Sequence, residues 1–203
     1  MQPFTTLTAP ACPLGLENVD TDQLIPARFM SRSRTEGYGG YLLHDLRFGA
    51  DGASLGFVLD DPCHAGTRIL VGRRNFGTGS SREAAVYALW DFGIRCVIAP
   101  SFGDIFASNA VKNGLLPARV SEDEAEALLS ALTHGAAQLT VDLVGQTILA
   151  GNRQVAFTID PVRRLQLING WDDLDLTLHH AEEIAAFRAC RLVAEPWILP
   201  ATD

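Results

Sequence analysis

The sequence predicts a mixed α/β domain, and three observations carry that reading. From residue 66 onward, short β-rich runs alternate with amphipathic stretches of helical spacing, which is the pattern of strand–loop–helix units. Between residues 139 and 159, three β-like runs follow one another with only turns between them, as in an antiparallel meander. The 203 residues suit one core, and 47% hydrophobic with 20% charged residues is the balance of an ordinary folded chain.

Residues 14–60 are the least regular part. Asn18-Val-Asp-Thr-Asp22 is a cluster of turn formers ahead of Leu24-Ile25, and Asp20 and Asp22 read as turn formers or supports rather than catalysts. Arg34-Thr-Glu-Gly-Tyr-Gly-Gly40 reads as a mobile loop. Residues 68–72 then predict a strand, 75–79 a glycine-punctuated turn, and 80–92 a helix whose apolar positions are Ala84, Ala85, Ala88, Leu89 and Phe92. Gly93 supplies the left-handed closing residue, and 96–99 reads as the next buried strand. A second helix over 102–113 ends at Gly114, before an extended run at Leu115-Leu116. Ser121 with Glu124 forms a capping box that opens a helix to about His134. The meander follows at 139–143, 147–149 and 155–159, with a turn at Gly151-Asn152, and the tail returns to helix at 161–168 and 176–190.

A formal charge of −8 and a pI near 5.0 exclude a sequence-independent grip on nucleic acid, which depends on clustered cations. Lys112 is the one lysine among 16 basic residues, so the local clusters Arg28, Arg32, Arg34 and Arg73, Arg74, Arg82 are all arginine. The guanidinium fork matches a carboxylate in two parallel hydrogen bonds, and such clusters on an acidic chain fit a small polyanionic substrate as well as they fit solvated surface. No stretch approaches the roughly 20 apolar residues of a membrane span, and residues 1–13 lack a basic flank with an apolar run, so a cytoplasmic protein is expected. Cys12, Cys63, Cys96 and Cys190 are widely separated, with the spacing of neither a zinc site nor an iron–sulfur cluster, and no metal is expected on this chain.

Gly77-Thr-Gly-Ser-Ser-Arg-Glu83 joins a predicted strand end to a predicted helix start and concentrates polar groups there. Helix N-termini combine unsatisfied N–H groups with the positive end of the helix dipole, which favours an anion. Gly77 and Gly79 let backbone approach a ligand, Ser80 and Ser81 place hydroxyls at the mouth, and Arg82 adds a permanent charge. The same Ser80-Ser-Arg-Glu83 is also a plain capping box, worth roughly 1 kcal/mol to any helix, and the residues alone leave both readings open. A phosphate-binding loop lacks its Gly-Lys-Ser/Thr ending here, and Gly-x-Ser-x-Gly is not matched.

Five blocks now carry a resemblance: Asn18-Val-Asp-Thr-Asp-Gln-Leu-Ile-Pro-Ala-Arg-Phe29, Arg74-Asn-Phe-Gly-Thr-Gly-Ser-Ser-Arg-Glu83, Ala99-Pro-Ser-Phe-Gly-Asp-Ile-Phe106, Asn113-Gly-Leu-Leu-Pro117 and Asn169-Gly-Trp-Asp-Asp-Leu-Asp-Leu-Thr-Leu-His179. In this order, across nearly the whole chain, they resemble the small subunits of bacterial 3-isopropylmalate dehydratase. The resemblance implies a single swivelling β/β/α domain over residues 1–203, similar to the aconitase C-terminal domain. It also implies a hydro-lyase that interconverts 2- and 3-isopropylmalate only with a larger partner, in a heterodimer or heterotetramer. That partner would hold a [4Fe–4S] cluster, with no cofactor bound by this chain.

For the site, the resemblance implies that Ser80 acts as the base in its alkoxide form and that Arg82 holds a substrate carboxylate. Ser81 and Gly79 would bind substrate locally, while Arg34 and Thr35, in the loop over about 29–40, would contact the part of a small hydroxy-dicarboxylate that varies between relatives. Two positions depart from the family: Thr78 stands where Cys is usual and Ala84 where His is usual, while aconitases place Ser at the first. Those departures keep open a related hydro-lyase acting on citramalate, a dimethylmalate or another alkylmalate, and a non-catalytic anion-binding module.

Overall fold

The computed structural model describes residues 1–134 and 138–198. Strands β1 (Thr6–Pro13), β2 (Ile69–Val71), β3 (Cys96–Ala99) and β4 (Leu116–Arg119) lie side by side in parallel. Strands β5 (Gln138–Asp142), β6 (Thr147–Ala150) and β7 (Arg153–Ala156) continue the sheet antiparallel from the other side of β1. The order is β4-β3-β2-β1-β5-β6-β7, a mixed sheet of seven strands as the α/β reading requires.

The parallel half follows from the βα units. β2 and β3 are buried at every position because helices cover both faces, and their side chains alternate between two cores. Leu70, Val97 and Ala99 face helices α3 (Glu83–Phe92) and α4 (Asp104–Lys112), together with the irregular segment that carries α1 (Thr21–Leu24) and α2 (His44–Arg47). Ile69, Val71 and Ile98 face α5 (Glu122–Thr133) and, beyond it, α6 (Pro161–Asn169). Gly93 closes α3 at φ +114°, donating to the carbonyls of Leu89 and Trp90. The α5 capping box is complete, with Glu124 N–H to Ser121 Oγ at 3.2 Å and Ser121 N–H to the Glu124 carboxylate at 2.9 Å.

Three features differ from the sequence reading. The central strand β1 was not legible as a strand, because Pro10 and Pro13 argue against an interior position. The chain accommodates Pro10 where pairing passes from one neighbour to the other: the β5 register ends at Pro10↔Gln138, and the β2 register begins at Ala11↔Ile69. The proline carbonyl still accepts from Arg68 N–H at 3.0 Å. Second, helix α3 starts at Glu83 rather than Ser80. Third, the helix expected at 176–190 is two helices, α7 (Asp173–His179) and α8 (Ala181–Ala194), divided at His180. Both pack little, and Leu174, Leu178, Phe187, Val193 and Trp197 are left exposed. No described helix is long and apolar enough to cross a membrane.

Candidate active site

The site forms where the turn after β1 meets the turn after β2. Gly77 N–H donates to the Val19 carbonyl at 2.6 Å, Thr21 N–H to the Thr78 carbonyl at 2.9 Å, and the Thr21 hydroxyl to the Ser80 carbonyl at 3.0 Å. Asp20 and Thr78 pair as an isolated parallel bridge. The Asp-Thr-Asp block and the Gly-Thr-Gly-Ser-Ser-Arg block are thus one structure, although about 60 residues separate them in sequence. Asp20 has the turn-forming role expected of it: it caps α1, accepting from Gln23 N–H at 2.7 Å. Asp22 is free to face the loop, and its carboxylate pairs with Arg82 Nη1.

Gly77 is fixed by two independent constraints. Its φ is +72°, and a Cβ at this position would lie 2.2 Å from Cγ of Phe106. Behind it, a Cβ on Gly103 would lie 2.4 Å from the Gly77 carbonyl oxygen, so the loop and the start of α4 are in close backbone contact. Phe76, Phe102 and Phe106 pack their rings beneath, with Phe76 fully buried. The loop is a rigid platform by construction.

On that platform Gly79, Ser80 and Ser81 are exposed and Arg82 is half-buried. Ser80 does not cap the helix, which corrects the capping-box reading of Ser80 to Glu83. The cap position belongs to Arg82, in extended conformation, with no side-chain cap bond. Arg82 N–H instead turns back to the Ser80 carbonyl at 2.8 Å, so the Ser80 and Ser81 hydroxyls stand clear of the helix and bond to no described residue. No side-chain cap bond closes the start of α3, and its first-turn carboxylate, Glu83, is engaged by Asn113 Nδ2 at 2.9 Å. Asp22 takes one edge of the Arg82 guanidinium, and among the described residues the Nε and Nη2 donors have no protein acceptor. Such an edge suits a carboxylate in bidentate geometry.

Arg34 and Thr35 are held elsewhere along α3. Arg34 donates to both oxygens of Asp91, at 2.5 and 2.9 Å, and its guanidinium lies 4.4 Å from the Tyr87 ring centroid. Tyr38 N–H adds a third bond to Asp91 at 2.7 Å. Tyr87 and Asp91 follow Glu83 by one and two turns, so Arg34 sits roughly 6–12 Å along the helix axis from the Ser80 loop. Thr35 bonds locally to Ser33, their hydroxyls 2.7 Å apart. No hydrogen bond among the described residues joins Arg34 or Thr35 to the 77–82 loop. Asp91 and the Thr21 hydroxyl are partners that the sequence reading missed: Asp91 stands in no motif, and Thr21, inside the Asp-Thr-Asp block, was given no role of its own. The arginine clusters also resolve into pairs: Arg28 meets Asp45, Arg73 meets Glu126 and Arg74 meets Glu17.

Burial pushes the Cys12 thiol up to about 12, with the nearby Cys63, Asp60 and Asp61 adding to it, and burial raises fully buried Cys96 as well. Burial thus holds both in the neutral thiol form, which makes them poor nucleophiles. Among the described residues no three His, Cys, Asp or Glu side chains converge as a metal site.

Fold and loop together define an aconitase-type swivel domain, and the family described as Aconitase C-terminal domain matches residues 1–123. At 24% identity and a TM-score of 0.63, a crystal structure titled 3-isopropylmalate dehydratase from Methanocaldococcus jannaschii shares the fold over 90% of this chain and 99% of its own. A 3-isopropylmalate dehydratase small subunit from Paramagnetospirillum magneticum is 45% identical over 98% of this chain and 100% of its own length. One from Rhodospirillum centenum is 46% identical with the same coverage. The chain belongs to the family of 3-isopropylmalate dehydratase small subunits.

Proposed function

We propose that this chain is the small subunit of a hydro-lyase that interconverts 2-isopropylmalate and 3-isopropylmalate in leucine biosynthesis, joined to a larger subunit that carries a [4Fe–4S] cluster. Residues 1–203 act as one swivel-type unit, the assembly is a heterodimer or heterotetramer, and the reaction runs in the cytoplasm. The observation that carries this reading is the loop itself: an uncapped helix start, two unbonded hydroxyls and an arginine edge, all held by the Asp-Thr-Asp turn. Apolar side chains left open at Leu174, Leu178, Phe187 and Trp197 support assembly with a partner, since surfaces of that kind are uncommon on monomers.

The partner's cluster supplies a Lewis acid for the leaving hydroxyl. This chain's own contribution is the proton and the carboxylate. Ser80 Oγ removes the proton from the carbon neighbouring the hydroxyl-bearing one, and a free serine is far too weak an acid to do this unaided. The uncapped N–H groups of α3, its dipole and the Arg82 charge stabilise the alkoxide. Arg82 receives a substrate carboxylate on its Nε–Nη2 edge while Asp22 holds the other edge, and Ser81 and Gly79 border the same anion. Arg34 and Thr35 contact the variable part of the substrate once the 29–40 segment turns from Asp91 toward the shared site.

The surroundings of Thr78 and Ala84 are compatible with this reading. Thr78 meets the Thr21 backbone through its own carbonyl, and half-buried Ala84 packs on the α3 side of the core. Reconstitution with the cognate larger subunit, followed by assay on 2-isopropylmalate, citramalate and dimethylmalate, tests the reading. Turnover of isopropylmalate is expected; turnover of citramalate without isopropylmalate would assign the chain to a related dehydratase instead.

A further inference from the structure

A cavity of about 630 Å³ opens at the carboxyl end of β4, lined by Phe102, Pro117, Arg119, Thr158, Asp160 and Arg163 among others. The crevice outside the carboxyl ends of parallel strands is where α/β sheets bind ligands, and this volume suits a small molecule. We infer that the cavity is a second anion site, in which Arg119 and Arg163 bind a small free oxyanion of the phosphate or dicarboxylate class.

The two arginines come from different elements that the backbone fixes to one another. Arg119 is the last residue of β4 and Arg163 lies in the first turn of α6. Between them, Arg119 N–H donates to the Thr158 carbonyl at 3.1 Å, and Thr158 N–H returns to the Arg119 carbonyl at 2.8 Å. Seven other arginines meet a carboxylate: Arg28, Arg34, Arg47, Arg73, Arg74, Arg82 and Arg191. Arg119 and Arg163 are among the eight of fifteen arginines that meet none among the described residues, and of those eight they are the two that line this cavity. The one carboxylate on the wall, Asp160, is turned to the helix start, where Oδ1 accepts from Val162 N–H and Arg163 N–H at 3.0 Å each. Two guanidinium forks against one engaged carboxylate leave the cavity net positive, and a cation is disfavoured there. Phe102 and Pro117 close it with apolar surface.

The inference does not depend on the isomerase reading, because Arg119 and Arg163 take no part in the Ser80 loop. The test is calorimetric titration of the isolated chain with inorganic phosphate and, separately, with malonate. Arg119→Gln and Arg163→Gln should each weaken binding by at least about tenfold, while Arg82→Gln leaves at least one site intact. Arg119 is exposed, so its substitution should leave the melting temperature unchanged and the comparison readable. Saturable binding that disappears with Arg82→Gln and survives both other substitutions would overturn the proposal, and so would the absence of saturable binding. It would equally be overturned if the reconstituted complex excluded phosphate and Arg119→Gln weakened assembly, since the cavity would then be a docking contact for an acidic side chain of the larger subunit.

Discussion

The Asp22 carboxylate holds one edge of the Arg82 guanidinium, and this pair ties the turn after β1 to the turn after β2 across 60 residues of sequence. Its consequence is orientation. Arg82 is half-buried with its Nη1 engaged, so the remaining edge is presented in one direction rather than sampled by a free side chain.

Asp22→Asn therefore separates positioning from charge. The amide removes the ion pair but keeps the shape, and Arg82 keeps its charge. We expect kcat/KM on isopropylmalate in the reconstituted enzyme to fall by roughly tenfold or more, with most of the change in KM if Arg82 chiefly orients the bound carboxylate. Thermal stability should move little, because an exposed pair contributes about 0–1 kcal/mol. An unchanged KM and kcat would show that Arg82 finds its place without Asp22.

The Phe106 ring gives a second test of the platform. Gly77→Ala places a Cβ against this ring and forces a positive φ on an L residue. Overpacking of this kind typically costs about 1–3 kcal/mol before the backbone strain is added. Chemical denaturation should register the loss. Phe106→Leu in the same chain should recover part of it by removing ring atoms, whereas a wild-type midpoint for the single variant would mean that the loop is softer than its contacts imply.

At the start of α5, Ser121 and Glu124 satisfy each other's backbone N–H groups. Ser121→Ala should cost about 1 kcal/mol, a fall of roughly 2–4 °C in Tm for a chain of this length. The Ser121 backbone N–H and hydroxyl hold the Glu124 carboxyl below its ordinary value of 4.5. A carboxyl depressed in the folded state binds fewer protons there than when unfolded. Its stabilisation is thus present above about pH 4.5 and is lost as the pH falls below it. Glu124→Gln should flatten that part of the stability–pH curve, and an identical acid limb would remove the capping carboxylate from the account.

The thiols separate by burial. Iodoacetamide at mildly alkaline pH should add two groups to the native chain, at exposed Cys63 and Cys190, and four after denaturation. Asp61 beside Cys63 raises that thiol, so its labelling should set in at higher pH than that of an ordinary thiol. Rapid native labelling of Cys12 or Cys96 would contradict their burial.

Strands β2 and β3, the meander and the α5 cap were legible because local composition and long-range packing agree there: β-branched runs lie between helices, and Gly93 and Gly114 sit at helix ends, whereas only Leu115-Leu116 marked the start of β4, whose Pro117 hides the rest. Strand β1 was illegible because Pro10 looks disqualifying until its change of neighbour is known. The start of α3 misled for a related reason. Ser80 and Glu83 have capping-box spacing, but positive φ at Gly77 and Gly79 and the bonds to Val19 and Thr21 pull the serines off the helix axis. The Asp22 and Asp91 partnerships are tertiary, and no local pattern announces a pair 57 or 60 residues apart.

That displacement sharpens the last prediction. A serine that capped α3 would lose about 1 kcal/mol of stability on conversion to alanine, as an N-cap does. Ser80 caps nothing, so Ser80→Ala should leave Tm unchanged while turnover in the reconstituted enzyme falls by on the order of 10²-fold or more, the effect of deleting a positioned base. Substrate affinity should persist, because Arg82, Gly79 and the helix start remain. Arg82→Lys keeps a charge but loses the fork, and its single ammonium cannot hold Asp22 and a substrate carboxylate in the same geometry. Both KM and kcat should then worsen. If the larger subunit carries the proposed cluster, each variant is compared at equal visible absorbance of that cluster, so that loss of iron is not read as loss of the base. If Ser80→Ala turned over isopropylmalate at the wild-type rate, the proton would have to leave through another group, and the exposed hydroxyl of Ser81 on the same loop would be the next to replace.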